Sequence, residues 1–336
     1  MNLKEFSKKT GISISTISKA LSNYKDVNIN TKNKVIALAK EFNYVPNIYA
    51  KALASRTNFS VGLVLPLTFN SIQKLTLINF LENIYSKLNK VNIPVMMIFA
   101  KNKKEELDAF EKLINFHKVG LILLNDIKQN DERVNYLEKK SIAYITWGRC
   151  NKNSSEYSWI DEDIEYGSTL AVDYLLSKGH ENIGYLSSSI KTNYFVQRKK
   201  YFVSSLKRNN IRVNKSNFIE VNHSNQNEVK NKIKELLNNQ NKITALLASS
   251  PTFAMDAIDI CNEQNKEIGK NFSLLSFDSN VLVSLAPNIT TIRQPVIEMN
   301  ENLCKIIQSK ISNFDKNYNY MYKSKLYEKA SVLKIN

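Results

Sequence analysis

The sequence predicts an α/β protein in which a small helical N-terminal domain precedes a core of two lobes, each built on a doubly wound parallel sheet. Three observations predict this class. The first 56 residues read as short helices separated by turn residues. From Val61 onward, apolar runs of four to eight residues alternate with stretches of helical periodicity. This alternation continues through two sets of units, which favours two lobes over one.

The first predicted element is LKEFSKKTGISISTISKAL, two short helices that begin at Leu3 and are joined by a tight turn. Gly11 lies at the bend, because glycine tolerates backbone angles that other residues avoid. Ser13 can cap the second helix, whose Ile17, Ala20 and Leu21 then fall on one buried stripe. This pattern is typical of a helix-turn-helix that reads a DNA major groove, although it also fits a helical cap that binds no nucleic acid.

A third helix is predicted over Thr31–Phe42, with Asn28 as its cap. Pro46 then interrupts the chain, because proline disfavours helix at the residue before it. The segment Asn47–Ser55 can form a further short helix, which is too short to be stable alone in water. We expect this segment to order only against a partner, either DNA or a second copy of the chain.

The net charge of +16 is concentrated at the N-terminus. Residues 1–56 carry nine Lys and one Arg against three acidic residues. A basic helical terminus favours a polyanionic partner, because phosphate contacts release counterions. The alternative is a general abundance of Lys throughout the chain.

Strand and helix patterns alternate in two sets between Val61 and Asp278. The first set has predicted strands at 61–67, 93–100, 119–124 and 142–146 and helices at 75–88, 105–116 and 131–139. The second set has predicted strands at 183–188, 218–221, 243–249 and 272–278 and helices at 166–177, 197–208, 228–237 and 251–264. A helix at 300–310 is expected to return to the first lobe, and the C-terminal KLYEKASVLKI to end in a strand. Two such lobes make a cleft at the carboxyl ends of their strands, where ligands bind.

Several classes of protein are not expected. The three cysteines, Cys150, Cys261 and Cys304, fit neither a metal site nor a disulfide framework. There is no apolar run long enough for a membrane span and no signal-peptide core at the N-terminus, so we expect a cytoplasmic protein that does not bind membranes. An exported solute-binding protein would need such a signal. No cofactor is expected, and no catalytic constellation is visible, so an enzyme is not expected.

Motifs along nearly the whole chain resemble those of one family. GISISTISKALS is similar to GVSxxTVSRVLN, and VNINTKNKVIALAKEFNYVPNIYAKAL to V-S-x-x-T-R-x-x-V…A…LGY-x-PN…AR-x-L. In the core, IDEDIEYGSTLAVDYLLSKGHENIGYL, FSLLSFD and ITTIRQP are similar to D-x-D-N…G…A…L…GH-x-x-I-x-x-L, S-V-V-G-F-D and LTT-I-x-QP. These motifs resemble the LacI/GalR family of bacterial transcription regulators.

The resemblance implies a helix-turn-helix headpiece over 1–45, a hinge helix over 46–58 and a periplasmic-binding-protein-like core over 59–336. The expected lobes are about 59–158 with 291–318, and about 159–290 with 319–336. It also implies a homodimer that represses carbohydrate genes from a pseudo-palindromic DNA operator and is switched by a small-molecule effector in the cleft. The expected effector is a sugar. The alternative function is a cytoplasmic small-molecule-binding protein of the same two-lobe fold, with a non-sugar effector or none.

The resemblance assigns DNA-contact roles residue by residue. Ile14, Ser15 and Lys19 take the base-reading positions. The candidate phosphate contacts are Ser13, Thr16, Ser18, Asn23, Tyr24 and Asn28, for which capping and solvation are the alternative roles. In the hinge helix, Leu53 takes the position of a minor-groove wedge. Core packing is the alternative role for Leu53. The residues that flank this wedge are Asn47, Ala50 and Lys51, and Arg56 is a further candidate phosphate contact.

The expected effector-binding residues are Trp147, Arg149, Asp161, Arg198, Ser250 and Asp278. A Trp face, Arg donors and carboxylate acceptors suit the C–H face and the hydroxyls of a sugar. For Asp161 and Arg198, the alternative is an ion pair that braces the lobes. Ser250 and Pro251 stand where the family often has Asn-Asp, so the resemblance does not fix the identity of the effector. The WGR element resembles family members that respond to α-glucosides.

Overall fold

The computed structural model describes residues 3–21, 27–42, 44, 60–68, 70–222, 225–238, 242–313 and 315–335. The chain divides into two compact units, Met1–Phe59 and Ser60–Asn336. The described part of the first unit is helical, and the second unit is α/β.

The helices described in the N-terminal unit are α1 (Leu3–Thr10), α2 (Ile14–Leu21) and α3 (Ile29–Glu41). Their shared core is formed by Phe6, Ile17, Ala20, Val35, Ala39 and Tyr44. Ile17 and Ala20 of the predicted stripe are buried, whereas Leu21 is half-buried at the edge of this core. Gly11 has the positive φ of +66° that the turn requires. The unit is therefore a helix-turn-helix followed by a third helix.

The strands and helices of the second unit alternate along the chain. The strands are β1 (Val61–Pro66), β2 (Val95–Ala100), β3 (Leu121–Leu124), β4 (Tyr144–Trp147), β5 (Ser158–Glu162), β6 (Ile183–Ser188), β7 (Phe218–Val221), β8 (Ala245–Ala248), β9 (Ser273–Asp278), β10 (Thr290–Arg293), β11 (Asn319–Tyr322) and β12 (Lys325–Tyr327). The helices are α4 (Ser71–Lys90), α5 (Lys103–Glu111), α6 (Glu132–Lys139), α7 (Ile164–Ser177), α8 (Asn193–Arg208), α9 (Gln226–Asn238), α10 (Pro251–Glu263), α11 (Leu282–Leu285) and α12 (Val296–Ser312). A π-helical turn, Lys112–Phe116, extends α5, and a 3₁₀ turn, Lys215–Asn217, precedes β7.

These strands form two sheets, one in each lobe. The first sheet has the order β11-β5-β4-β3-β1-β2, and all of its described pairs are parallel. The second has the order β12-β10-β9-β8-β6-β7 and is parallel except for β12. Apolar side chains fill both faces of each sheet, as expected for parallel sheets covered by helices. The predicted doubly wound two-lobe fold is confirmed.

The chain crosses between the lobes at three points, and the predicted lobe boundaries need correction there. Residues 159–162 and 319–322 were predicted to lie in the second lobe, but they belong to β5 and β11, which pair in the first sheet. The prediction also placed 291–293 in the first lobe, but β10 pairs with β9 in the second sheet. These strands are short and polar, and only pairing with distant neighbours assigns them to a sheet. The helix α12 does return to the first lobe, where Met299 and Leu303 are buried in the core.

Within the described residues, no helix is both long enough and apolar enough to cross a bilayer.

Candidate functional site

The second helix of the N-terminal unit is capped and oriented by its neighbours. The Ser13 hydroxyl accepts a hydrogen bond from the Thr16 amide at 3.2 Å, which confirms the predicted cap. The same hydroxyl lies 2.8 Å from the Thr16 hydroxyl and 3.1 Å from that of Ser15. Because Ile17 and Ala20 face the core, the opposite side of α2 faces outward.

The predicted DNA-contact residues of α2 lie on this outward side. Ser13, Ile14, Ser15 and Lys19 are exposed, and Thr16 and Ser18 are half-buried. An exposed apolar side chain beside hydroxyls and a cation can contact thymine methyls, guanine acceptors and phosphates. The helix therefore presents a surface with the chemistry of major-groove recognition.

Asn28, a predicted phosphate contact, caps α3. Its side-chain oxygen accepts a hydrogen bond from the Asn30 amide at 2.9 Å, and the residue is exposed. Seven predicted DNA contacts lie outside the described residues, and so does the predicted hinge helix. They are Asn23, Tyr24, Asn47, Ala50, Lys51, Leu53 and Arg56.

At the lobe boundary, Arg198 of α8 is enclosed on every side. Its guanidinium lies 4.1 Å from the centroid of the Phe277 ring and 5.4 Å from that of Tyr194. Its Nη1 donates to the Ser249 carbonyl at 2.6 Å, and its Nη2 donates to the carboxylate of Glu162. Only 5% of the residue is exposed.

The alternative prediction paired Arg198 with Asp161, and it is wrong by one residue, because Arg198 pairs with Glu162. Glu162 ends β5 in the first sheet and is 2% exposed. One of its oxygens accepts from Arg198, and the other accepts from the Ser324 hydroxyl at 3.2 Å. Ser324 lies between β11 and β12, where the chain crosses the lobes. This ion pair therefore joins the second lobe to two of the crossing segments.

Asp161 pairs instead with Arg149. The Arg149 Nε donates to the carboxylate at 2.9 Å, and the guanidinium lies 5.0 Å from the Trp159 ring centroid. Burial raises the pKa of Asp161 to about 6, although the Arg149 hydrogen bond opposes this shift. Asp161 and Glu162 are both buried, although they belong to the acidic run of residues 161–163.

Asp278, at the carboxyl end of β9, orients the next turn. One of its oxygens accepts the amides of Val281 and Leu282 at 2.9 and 3.1 Å. The other lies 3.6 Å from the Arg293 Nε and makes no hydrogen bond within the described residues. Ser250 precedes α10, whose first residue is Pro251, but its hydroxyl does not cap that helix.

Trp147 ends β4 and is half-buried. Its ring meets Phe80 of α4 edge-on, with the centroids 5.0 Å apart. One face of the residue is thus held by the core of the first lobe.

Asn193, the first residue of α8, fastens the second lobe to the first. Its backbone amide donates to the Ile127 carbonyl at 2.7 Å, and its side-chain amide donates to the Arg149 carbonyl at 2.7 Å. A β-bridge between Lys128 and Thr192 lies beside these bonds. The lobes are closed onto each other at the carboxyl ends of β3 and β4.

The family follows from comparison of the sequence with family models. Residues 2–47 match the model described as bacterial regulatory proteins, lacI family. Residues 172–331 match the periplasmic binding protein-like domain. The chain belongs to the lacI family of bacterial regulatory proteins. It is a transcriptional regulator with a DNA-binding helix-turn-helix.

Relatives named as HTH-type transcriptional regulators match most of the chain. The HTH-type transcriptional regulator AglR of Rhizobium meliloti (strain 1021) is 25% identical over 287 residues, which cover 85% of this chain and 80% of the relative. MalR of Clostridium butyricum is 24% identical over 342 residues, covering all of both chains. The lac repressor dimer bound to operator has a TM-score of 0.80 at 18% identity, covering 99% of each chain.

In this LacI-family regulator, the sequence singled out Arg149 and Arg198, which lie at the lobe boundary, but not three of their neighbours. Glu162, Asn193 and Tyr194 contact Arg198 or Arg149 across or beside the lobe boundary. No local pattern marks them. Asn193 precedes the predicted helix start at 197, although α8 in fact begins at Asn193 itself. For Glu162, the one signal in the sequence is that it follows Asp161, a predicted site residue.

Proposed function

We propose that this LacI-family regulator represses carbohydrate uptake or catabolism genes by binding a pseudo-palindromic operator as a homodimer. A small-molecule effector, a sugar, binds between the lobes and changes its affinity for DNA. The observation that carries the proposal is the outward side of α2, where Ile14, Ser15 and Lys19 are exposed beside a fully formed core.

The dimer is supported by an apolar surface on the first lobe. Ile78 and Tyr85 of α4 are more than half exposed. Met97 and Phe99 are also exposed, and they lie on β2, the edge strand of the first sheet. They share the strand face of Val95, which packs into the same core as α4. Exposed apolar side chains on neighbouring elements of one lobe are typical of a protein–protein interface.

The sugar effector is supported by the chemistry of the lobe boundary and by relatives. Carboxylates, guanidiniums and aromatic rings meet at the strand ends, where α/β folds bind ligands. CelR, at 18% identity and a TM-score of 0.71, is solved as a complex with cellobiose. A LacI-family regulator from Enterococcus faecium, at 19% identity and a TM-score of 0.67, is solved with bound ribose.

Switching follows from linkage between the two ligands. An effector that prefers one lobe arrangement shifts the equilibrium by its differential affinity and no more. The bonds of Asn193 to Ile127 and Arg149 stabilise the closed arrangement. A dimer then couples lobe arrangement to the spacing of its two headpieces, because a two-fold protein matches a palindromic site.

The proposal is tested by fluorescence anisotropy on DNA from upstream of the chain's own gene. Titration at two salt concentrations separates selective from non-selective binding. Maltose, sucrose and trehalose are then added, together with simple monosaccharides. We expect tight, selective binding that one sugar alters. Equal, steeply salt-dependent binding to all DNA would contradict operator recognition, and selective binding that no sugar alters would contradict the sugar effector.

The homodimer is tested by sedimentation of Phe99→Asp. A buried charge at the proposed interface should convert the dimer to monomer and weaken operator binding. Phe116→Asp is the matched control, because Phe116 is 81% exposed on the π-helical turn, outside the proposed surface. An unchanged sedimentation coefficient for Phe99→Asp would place the interface elsewhere.

A further inference from the structure

The arginines at the lobe boundary are already neutralised by the protein's own carboxylates. Arg149 pairs with Asp161, and Arg198 pairs with Glu162. Arg293 lies 3.6 Å from Asp278. A ligand that enters between the lobes therefore meets paired charges in this region.

Two further features bear on the charge of the ligand. Asp126 follows β3 at the same boundary, and burial, with a smaller contribution from the Asp126 carboxylate, raises the pKa of Tyr194. Arg133 makes a two-bond contact with Asp131 and also donates to the Asn125 carbonyl, so it holds the backbone of this loop. Asp126 thus adds a carboxylate to the boundary, whereas the guanidinium of Arg133 is already hydrogen-bonded to Asp131.

Arg198 retains one unused donor. Its Nη2 binds Glu162, but its Nε has no hydrogen-bond partner within the described residues. Nε and Nη2 form the edge of a guanidinium that matches a carboxylate with two parallel bonds. Glu162 accepts from Nη2, one of the two nitrogens of this edge, so a ligand carboxylate that binds both nitrogens would compete with Glu162 for Nη2.

An acidic ligand cannot displace Glu162 without a large cost. Glu162 is 2% exposed, and loss of Arg198 would leave its carboxylate with the Ser324 hydroxyl as its other described hydrogen-bonding side chain. An uncompensated buried charge is strongly destabilising. A hydroxyl-bearing ligand without charge avoids this cost, because it leaves the ion pair intact.

We propose that Glu162 is a specificity residue that excludes acidic effectors by occupying the carboxylate-binding edge of Arg198, so that the effector is an uncharged, hydroxyl-bearing molecule. This inference rests on the proposed effector function of the cleft. Glu162 acts on specificity through Arg198 and is not assigned a contact with the effector.

The first test compares neutral and acidic sugars on the wild-type protein. Glucose and galactose are paired with glucuronate and galacturonate, and binding is measured by calorimetric titration. We expect each acid to bind at least tenfold more weakly than its neutral parent, or not at all when the parent binds. Equal or tighter binding of an acid by the wild-type protein would overturn the proposal.

The second test opens the edge of Arg198. Glu162→Ala leaves a carboxylate-sized space beside the guanidinium, and acetate is the probe. We expect Glu162→Ala to bind acetate about 10- to 100-fold more tightly than wild type, measured as stabilisation against heat at constant ionic strength. Glu165→Ala removes an exposed carboxyl at the start of α7 and should show no such gain.

Two variants keep the second test decisive if Glu162→Ala folds poorly. Glu162→Gln retains the shape and should still exclude acetate. Glu162→Ala combined with Arg198→Ala removes the proposed anion site, so acetate should not stabilise it. A folded Glu162→Ala without an acetate gain would overturn the proposal, as would an equal gain in the double variant. Failure of the wild-type protein to bind any sugar would instead contradict the effector function, and the acetate experiment would still judge Glu162.

Discussion

The rings of Phe6 and Tyr44 stack at a centroid distance of 4.4 Å and an interplanar angle of 9°. Phe6 belongs to α1, whereas Tyr44 follows α3, so the contact ties the two ends of the described N-terminal unit together. Both residues are buried in a core of few side chains. Because small domains have little stability to lose, this stack controls whether α2 is presented at all.

Tyr44→Ala should therefore abolish operator binding by unfolding the headpiece. Removal of a buried aromatic ring costs about 3–5 kcal/mol, comparable with the whole stability of so small a unit. Anisotropy measures DNA binding, and calorimetry follows the unfolding of the second unit, which should be unchanged. Tyr44→Phe keeps the stack and should retain binding. Normal binding by Tyr44→Ala would show that the stack is dispensable.

Lys19→Ala should weaken binding to the preferred operator by about 1–3 kcal/mol and reduce discrimination between sequences. Lys19 is exposed on the outward side of α2, where it can reach guanine acceptors. The measurement is a set of titrations on operators with single base changes. Lys40→Ala, on the exposed side of α3, removes the same charge and should leave sequence discrimination intact. An equal loss on every DNA for Lys19→Ala would identify a phosphate contact.

Asn193→Ala should loosen the closed arrangement of the lobes. It removes the 2.7 Å hydrogen bond from the side-chain amide to the Arg149 carbonyl, worth about 1 kcal/mol. Opening should therefore increase about fivefold, as measured by hydrogen exchange of the residue-193 amide, which bonds to Ile127. Asn209→Ala, at the other end of the same helix, is the control. Unchanged exchange would show that the side-chain bond does not contribute to closure.

The pH dependence of stability should carry a contribution from Asp161. Burial raises its pKa to about 6, above the ordinary value of 3.8, so the folded protein binds the proton more tightly than the unfolded chain. Stability should therefore fall as the pH rises from about 4 to 6, by about 2–3 kcal/mol from this group. Urea unfolding of wild type and Asp161→Asn at several pH values measures the difference. A difference that stays constant from pH 4 to 7 would contradict the shifted pKa.

Much of the fold could be predicted because its signals are local. The cap at Ser13 and the spacing of Ile17 and Ala20 involve contacts within a few residues, and the structure reproduces both. Apart from β5, each strand from Val61 to Asp278 has its predicted counterpart, because most of these strands are largely apolar runs. The predicted and observed ends of these strands differ by a few residues, since the position at which a strand ends depends on its contacts with neighbouring elements.

The strands β5, β10 and β11 escaped prediction because their segments, SWIDE, TTIR and NYMY, mix polar and apolar residues. Backbone pairing with strands far along the chain makes them part of the sheets. The burial of Asp161 and Glu162 is a consequence, because β11 and β4 flank β5 on both sides. A single sequence shows an acidic run, and only the assembled sheet removes it from water.

The sequence by itself determined the family, the helix-turn-helix and the two-lobe class, and it singled out Arg149 and Arg198, which lie at the lobe boundary. Tertiary structure alone decided which carboxylate each arginine meets. Successive side chains of a strand point to opposite faces, so Asp161 reaches Arg149 and Glu162 reaches Arg198. One position along β5 therefore separates a contact beside the first lobe's Trp159 from an ion pair with the second lobe. Because this choice depends on register and on elements distant in sequence, the local pattern does not contain it.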